Sequence, residues 1–211
     1  MHALVIAGGD APAPIDVELA AAPLVIAADS GVGHALALGL RVDLVIGDLD
    51  SADPADVARA VAAGARVDRH PADKDATDLE LALDAARALG ATEVTVLGVG
   101  GGRLDHLLAN LLLVTHAAYA ELTIDARVDD TRISVVRTAR QLTGAVGSTV
   151  TLLPVGGPAR GVSTTGLRWT LTDAELTPAS TLGVSNEIVE SPANILVREG
   201  VLLAIQPHGA P

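Results

Sequence analysis

Residues 1–125 alternate short apolar runs with alanine-rich stretches of helical periodicity, and this alternation constrains the fold more than any other feature. The apolar runs are too uniformly hydrophobic to present one face to water, which is typical of parallel strands covered on both sides. The predicted strands are Leu4–Ala7, Leu24–Ala27, Leu44–Ile46, Val94–Leu97 and Leu122–Ile124. The pattern predicts an α/β fold, with a mostly parallel sheet and helices on both of its faces.

The intervening helices have recognisable ends. Asp53-Pro54 supplies an N-cap and a first-turn proline, and Gly64 ends that helix. Thr77 and Glu80 have the spacing of a capping box, ahead of a helix that ends near Gly90. A further helix is predicted from the apolar stripe Leu104, Leu107, Leu108, Leu111 and Leu112.

Beyond Asp129 the composition changes, since alanine gives way to Thr, Val, Ser and Gly and the apolar segments shorten. Turn residues such as Gly156-Gly157-Pro158 and Glu199-Gly200 are expected to separate the segments. The predicted strands are Ile133–Val136, Thr149–Leu153, Leu167–Leu171, Glu187–Val189, Ile195–Arg198 and Val201–Ile205. We therefore predict two domains, an α/β domain over residues 1–128 and an antiparallel β-sandwich over residues 129–211.

Charge and composition exclude several classes of protein. The net charge of −12 argues against a nucleic-acid partner, which would require a basic face. The chain has no cysteine, no apolar run near the roughly 18 residues of a membrane span, and no basic flank before its first apolar run. These features predict a cytoplasmic protein without a membrane partner.

The acidic residues are concentrated in one part of the chain. Twelve of the 18 aspartates lie between Asp29 and Asp105, whereas Lys74 is the only lysine. Clustered carboxylates either keep a protein soluble or hold a hard cation such as Mg²⁺, which binds oxygen ligands.

Polar residues follow four of the predicted parallel strands at the point where each strand ends. These endings are Gly8-Gly9-Asp10, Asp29-Ser30-Gly31, Gly47-Asp48-Leu49-Asp50-Ser51 and Gly98-Val99-Gly100-Gly101-Gly102-Arg103. Because ligands of open parallel sheets bind at the carboxyl ends of the strands, we expect these four ends to meet at one crevice.

Two acidic motifs are candidates for a metal site at this crevice. If the strand geometry continues past Gly47, Asp48 and Asp50 point to the same side and can share a cation. Asp78 lies in the predicted first turn of a helix, after Lys74 and Thr77, which can reach phosphate. The alternative for both motifs is helix capping, which is the commoner use of such residues.

The stretch Gly98–His106 is typical of an anion-binding loop. Its glycines let backbone N–H groups approach phosphate at a helix N-terminus, and Arg103 adds a guanidinium that matches phosphate geometry. Its spacing is neither that of a Walker A loop nor that of a dinucleotide fingerprint. In the second domain, the single tryptophan, Trp169, can pack in a core or stack on a cationic heterocycle.

Taken in order, six motifs resemble those of thiamine pyrophosphokinases along nearly the full chain. They are Ala28–Gly31, Gly47–Ser51, Lys74–Asp78, Gly101–His106, Gly166–Trp169 and Leu182–Glu187. The resemblance implies a nucleotide-binding α/β domain, a thiamine-binding β-sandwich and a homodimer with thiamine sites between subunits. It also implies Mg²⁺, ATP as the pyrophosphate donor, and AMP as a product.

The resemblance also implies roles for individual residues. Asp48, Asp50 and Asp78 resemble the magnesium ligands, and Arg103 and Asp105 belong to the catalytic set. The nucleotide is expected to meet Asp29, Ser30, Lys74, Thr77, Gly101, Gly102 and Arg103. Thiamine is expected to contact Trp169 by stacking, and Ser185 and Asn186 through its pyrimidine.

This sequence departs from the family pattern in two places. Ser30, Val32 and Gly33 stand within a motif that more often reads Asp-Gly-Gly-Ala-Asn, and Leu49 replaces a frequent phenylalanine. Two alternative functions stay open: a pyrophosphokinase of the same fold acting on another alcohol such as a pterin, and a non-catalytic sensor of thiamine or nucleotide.

Overall fold

The computed structural model describes residues 1–12, 22–73, 75–101 and 103–207. The chain forms two compact units. The α/β unit comprises residues 1–113 and 121–129, and the β unit comprises residues 114–120 together with the chain from Asp130 onward. Within the described residues, every helix is too short or too polar to span a bilayer.

The α/β unit contains a parallel sheet of six strands in the order β4-β3-β2-β1-β5-β6. The five predicted strands are present, each with slightly shifted ends. The strands are β1 (His2–Ile6), β2 (Leu24–Ala28), β3 (Leu44–Gly47), β4 (Arg66–Arg69), β5 (Glu93–Leu97) and β6 (Thr123–Val128). Among the described residues of this unit, the α-helices are α1 (Gly31–Ala37), α2 (Pro54–Ala62), α3 (Asp78–Ala88) and α4 (Leu104–Leu113).

The direction in which successive strands are added to the sheet reverses at β1. From β1 the chain moves outward through β2, β3 and β4, and then returns to form β5 on the other side of β1. Crevices in open parallel sheets form at such a reversal, because the loops leaving neighbouring strands diverge there. The loops after β1 and β5 therefore flank the expected ligand site.

The predicted helix caps are confirmed. The Asp53 side chain accepts a hydrogen bond from the Ala55 N–H at 2.8 Å, and Pro54 occupies the first turn. Thr77 caps α3 by accepting from the Glu80 N–H at 3.2 Å. The predicted helix over Leu104–Leu112 is also present as α4, although its residues Leu104, Leu108 and Leu112 are exposed.

The β unit is antiparallel and has two layers that share one long strand. The first half of β9 pairs with β13, which pairs with β7, and its second half pairs with β12, which pairs with β8. Buried residues from both layers, including Leu152, Val162, Ile195 and Leu202, form one core. The strands are β7 (Thr131–Val136), β8 (Ala139–Leu142), β9 (Thr149–Thr165), β10 (Ala174–Leu176), β11 (Asn186–Glu187), β12 (Ala193–Leu196) and β13 (Glu199–Gln206).

Three details predicted for the β unit are wrong. Glu199-Gly200 does not separate strands, because both residues belong to β13 (Glu199–Gln206). Gly156-Gly157-Pro158 does not separate strands but lies inside β9, where the pairing with β13 shifts register between Val201 and Glu199. Leu167–Leu171 is not a strand, and only Leu167 forms an isolated bridge, to Ile188. Gly166, with φ of 75°, turns the backbone out of extended geometry just before this segment.

Candidate active site

The carboxyl ends of β1, β2, β3 and β5 meet at one cavity of about 800 Å³, as predicted. The cavity lies wholly within the α/β unit, and the first turn of α3 and the first two turns of α4 form another part of its wall. Its charged lining residues are Asp10, Asp29, Asp48, Asp50, Asp78 and Arg103. Five carboxylates thus face one guanidinium among the described lining residues, so the cavity is strongly electronegative.

Asp29, Asp48 and Asp78 form a carboxylate trio. Each offers an oxygen, and these oxygens all lie within 4.8 Å of one another. Asp29 follows β2, Asp48 follows β3, and Asp78 is the first residue of α3. The three carboxylates come from different parts of the chain, so the parallel sheet is what brings them together.

The trio differs from the predicted set of Asp48, Asp50 and Asp78, because it contains Asp29 instead of Asp50. The strand β3 ends at Gly47, and Leu49 has a left-handed φ of 62°, so the two-residue repeat of a strand does not extend to Asp50. The Asp50 carboxylate instead accepts from the Ser51 hydroxyl at 2.9 Å. Asp50 still lines the cavity, and its role as a ligand stays a prediction.

A glycine makes the close approach of the trio possible. A Cβ atom on Gly47 would lie 2.8 Å from Asp78 Oδ1 and 3.4 Å from Asp29 Cβ. Gly47 also has a φ of 140°, which L-residues rarely adopt.

Burial raises the pKa of the Asp29 carboxyl above its ordinary value. The Ser30 backbone N–H lowers this pKa in part, whereas the charges of Asp78, Asp50 and Asp48 raise it further. Asp29 is 9% exposed, and its Oδ1 has no hydrogen-bond partner within the described residues. A buried carboxylate oxygen without a partner, beside other carboxylates, is the arrangement expected where a cation binds.

The two glycine-rich loops that flank the crevice are joined by backbone hydrogen bonds. Past the end of β1, the Gly9 N–H donates to Gly98 O at 2.8 Å and the Asp10 N–H donates to Gly100 O at 2.9 Å. A Cβ atom on Gly9 would lie 1.8 Å from Gly100 O, so only glycine fits there. The paired loops form one continuous surface of the cavity.

Gly9→Ala is therefore expected to lower the free energy of unfolding by about 2 to 3 kcal/mol, since the added methyl must displace backbone rather than a flexible side chain. Urea titration followed by circular dichroism measures the change. Gly157→Ala is the matched control, because its Cβ would meet nothing within 4 Å. Equal stability of the two variants would contradict the close pairing of the loops.

Arg103 and Asp105 form a bidentate pair just before and within the first turn of α4. Arg103 Nη2 lies 2.6 Å from Asp105 Oδ2, and Arg103 Nε lies 3.3 Å from Asp105 Oδ1. The Arg103 guanidinium lowers the pKa of the Asp105 carboxyl to about 2, and the same pair raises the pKa of Arg103. Asp105 therefore orients Arg103, which lines the cavity.

Other predicted nucleotide-binding residues are placed as follows. Ser30, Thr77 and Gly101 line the cavity, and the Thr77 hydroxyl also caps α3. Lys74 and Gly102 lie outside the described residues. Asp10 and His106 belong to motifs expected at the crevice, although neither was given a role, and both line the cavity. Asn110 also lines it and was not predicted; its position four residues after His106, on the same face of a helix, was the available signal.

In the β unit, Asn186 holds the segment that carries Trp169. The Asn186 amide oxygen accepts from the Trp169 N–H at 3.1 Å, and its Nδ2 donates to Trp169 O at 2.8 Å. Asn186 is buried, whereas the Trp169 ring is 58% exposed and lies 5.9 Å from Arg168 Cζ. Ser185 has a left-handed φ of 57° and donates its N–H to Thr151 Oγ1. The tryptophan is thus a surface residue on a fixed segment and not part of the core.

Two family models match the chain in succession. The model of the thiamin pyrophosphokinase catalytic domain matches residues 16–125, and that of the thiamin pyrophosphokinase vitamin B1 binding domain matches residues 131–202. The chain belongs to the thiamine pyrophosphokinase family. Within this family, the thiamine pyrophosphokinase of Bacillus subtilis is 26% identical over 183 residues, which cover 86% of either chain.

Solved structures of the family share the fold. A thiamine pyrophosphokinase from Bacillus subtilis superposes with a TM-score of 0.86 at 24% identity, over 100% of both chains. One from Geobacillus thermodenitrificans superposes with a TM-score of 0.82 at 29% identity, over 100% of this chain and 99% of the other. The parallel and antiparallel parts predicted from the sequence are therefore the architecture of thiamine pyrophosphokinases.

Proposed function

We propose that this chain transfers the β,γ-pyrophosphate of ATP to the hydroxyl group of thiamine, giving thiamine diphosphate and AMP. The observation that carries the proposal is the match of a catalytic and a vitamin B1 binding domain of one family, in order along the chain. The cavity at the reversal point of the parallel sheet supports it, because this is where such folds bind nucleotides.

We further propose that the carboxylate trio of Asp29, Asp48 and Asp78 holds Mg²⁺ during this reaction. The donor set suits the ion, because it consists of hard oxygen ligands of which one, Asp29 Oδ1, is buried without a hydrogen-bond partner among the described residues. When bound, the ion would neutralise charge on the phosphate oxygens. Without a cation, the five carboxylates of the cavity would repel a nucleoside triphosphate.

In the reaction, the thiamine hydroxyl oxygen forms a bond to the β-phosphorus, and the bond from that phosphorus to the oxygen of AMP breaks. The AMP oxygen takes the electron pair of the broken bond, and the hydroxyl proton passes to water. Among the described residues that line the cavity, Arg103 carries the positive charge, and Asp105 orients it. Its guanidinium can offset charge on the transferring phosphate oxygens. The N–H groups of Gly9 and Asp10 pair the two glycine loops, and other backbone N–H groups of these loops can donate to phosphate. The chain's contribution is chiefly positioning and charge neutralisation.

The direct test is AMP formation by the purified protein with Mg-ATP, with and without thiamine, and with the product identified by mass. Thiamine-dependent AMP together with thiamine diphosphate is the expected result. Thiamine binding without AMP would favour the sensor, and turnover only with another alcohol, such as a pterin, would favour the related pyrophosphokinase. Either outcome would overturn the proposal.

Trp169 is proposed to stack on thiamine, and Trp169→Ala is expected to raise the KM for thiamine about tenfold while leaving the KM for ATP unchanged. The expected size follows from a cation–π contact of about 1 to 2 kcal/mol. Because the ring is largely exposed, its removal should not destabilise the fold. Trp169→Phe, which keeps an aromatic face, is the control and should restore most of the affinity. An unchanged KM for thiamine in Trp169→Ala would exclude stacking.

Three finer expectations stay predictions of the sequence. Contacts of Ser185 and Asn186 with the pyrimidine require a complex with thiamine to test. A homodimer is implied by the family resemblance and is tested by analytical ultracentrifugation. We also propose a cytoplasmic location, which fractionation of the source cells would check.

A further inference from the structure

Helix α1 packs against the end of β1 through one face of its first turn. A Cβ atom on Gly31 would lie 2.1 Å from Ile6 O, and Ser30 Oγ lies 3.5 Å from Gly8 O. One turn further along the same face, His34 Nε2 lies 2.8 Å from Gly9 O. Residues at the start of α1 thus contact the end of β1 at Ile6 and the loop after it at Gly8 and Gly9.

The contact of His34 defines the state of its ring. Gly9 O can only accept a hydrogen bond, so Nε2 of His34 must carry a proton and donate it. The neutral Nε2–H tautomer and the imidazolium ion both satisfy this requirement. The hydrogen bond is therefore retained whichever of these two forms is present.

Gly9 is consequently held from two sides. Its N–H donates to Gly98 O at 2.8 Å, and its C=O accepts from His34. The next residue, Asp10, donates its N–H to Gly100 O. The backbone of Gly9 is thus tied both to the loop after β5 and to helix α1, and all of these loop residues line the cavity.

We propose that His34 is a positioning residue for pyrophosphate transfer, which acts by holding the Gly9 carbonyl and so fixing the paired glycine loops against the nucleotide phosphates. The proposal rests on the proposed function, since it assumes that the cavity binds a nucleotide. The Gly9 carbonyl and the Asp10 N–H belong to one peptide unit, so without His34 this unit is held only by the hydrogen bond from the Asp10 N–H to Gly100 O. Glycine permits large backbone rotations, so whenever that single hydrogen bond opens, the Gly9 carbonyl can turn toward the cavity. A carbonyl oxygen facing phosphate would repel it.

The test compares two polar replacements of different length. In His34→Gln the amide nitrogen can occupy the place of Nε2, whereas the shorter side chain of His34→Asn cannot reach Gly9 O. We expect His34→Asn to raise the KM for Mg-ATP about three- to tenfold, the range for one lost hydrogen bond, with little change in the KM for thiamine. His34→Gln should restore the wild-type value.

Hydrogen exchange of the Gly9 and Asp10 amides gives a readout that does not depend on activity. These amides should exchange faster by a similar factor in His34→Asn, and at the wild-type rate in His34→Gln. His2→Asn is the matched control, because His2 Nε2 makes a similar contact, 3.0 Å to Thr95 Oγ1, at the opposite end of β1. The control should change neither the exchange of Gly9 nor the KM for Mg-ATP.

The outcomes separate this proposal from the proposed function. Unchanged amide exchange in His34→Asn would overturn the positioning role, whether or not the protein is an active enzyme. Faster exchange with an unchanged KM for Mg-ATP would also overturn it, because the loop would then not matter to the nucleotide. If the wild-type protein lacks transfer activity, the proposed function fails and this inference fails with it.

Discussion

Asp48→Asn is expected to lower kcat for thiamine diphosphate formation about a thousandfold while leaving the fold intact. Asn matches Asp in size but removes the charge, so the carboxylate trio would hold a cation more weakly and the transferring phosphate oxygens would lose neutralisation. A cation supplies several kcal/mol of such stabilisation, and each 1.36 kcal/mol corresponds to about a factor of ten in rate. Steady-state AMP release measures the loss.

Two further variants sharpen this prediction. Asp84→Asn is the control, because Asp84 lies on α3 like Asp78 but pairs with Arg87 at the surface, away from the cavity. Asp50→Asn tests the ligand set, since Asp50 lines the cavity without belonging to the trio. A smaller loss in Asp50→Asn than in Asp48→Asn is expected. Turnover of Asp48→Asn within about twofold of the control would contradict the metal assignment.

Asp29→Asn is expected to lower kcat at least about a hundredfold and, in the absence of divalent cations, to raise the melting temperature at neutral pH. The rate falls for the same reason as in Asp48→Asn. Stability rises because the ionised Asp29 carboxylate is buried next to Asp48 and Asp78, and the neutral amide avoids both burial of a charge and repulsion.

The pH dependence of this stabilisation has a definite sign. The folded protein raises the pKa of Asp29, so the folded state binds the proton of this group more tightly than the unfolded state. The group therefore favours folding below its unfolded pKa, and this contribution is lost as the pH rises through the folded pKa. The advantage of Asp29→Asn should thus be largest at neutral pH and shrink in acid.

Calorimetry with and without Mg²⁺ checks both parts of the Asp29 prediction. Mg²⁺ should raise the melting temperature of the wild type and of Asp84→Asn, but should raise that of Asp29→Asn much less. A lower melting temperature of Asp29→Asn without Mg²⁺ would show that its carboxylate is not unfavourably buried. An equal response to Mg²⁺ would remove Asp29 from the ligand set.

Much of the α/β unit could be predicted because its signals are local. The apolar runs of β1, β2, β3, β5 and β6 and the caps at Asp53 and Thr77 are each contained in a few neighbouring residues. The exposed edge strand β4, Arg66–Arg69, was missed because three of its four side chains are charged and all four residues are exposed. Helix α1 was missed as well, since seven residues with two glycines give a weak helical signal.

The β unit was predicted less well because its strands depend on pairing between distant residues. Gly156 and Gly157 are turn residues in most contexts, but here pairing with β13 and β12 on either side keeps them within the long strand β9. Leu167–Leu171 has the apolar content of a strand, yet the Asn186 side chain takes the backbone hydrogen bonds of Trp169. Neither feature can be predicted from a short stretch of sequence, because each depends on residues that are distant along the chain.

The sequence by itself determined five of the six parallel strands, the helices that follow Asp53, Thr77 and Arg103, the glycine and aspartate motifs at the strand ends, and the resemblance to thiamine pyrophosphokinases. Only the tertiary structure decided which carboxylates share a site. Asp48 and Asp50 are close in sequence, but the left-handed backbone at Leu49 interrupts the strand geometry between them, and Asp50 lies outside the trio. Adjacent parallel strands instead bring Asp29 beside Asp48. The physical reason is that side-chain direction depends on backbone dihedrals and strand register, which long-range packing sets.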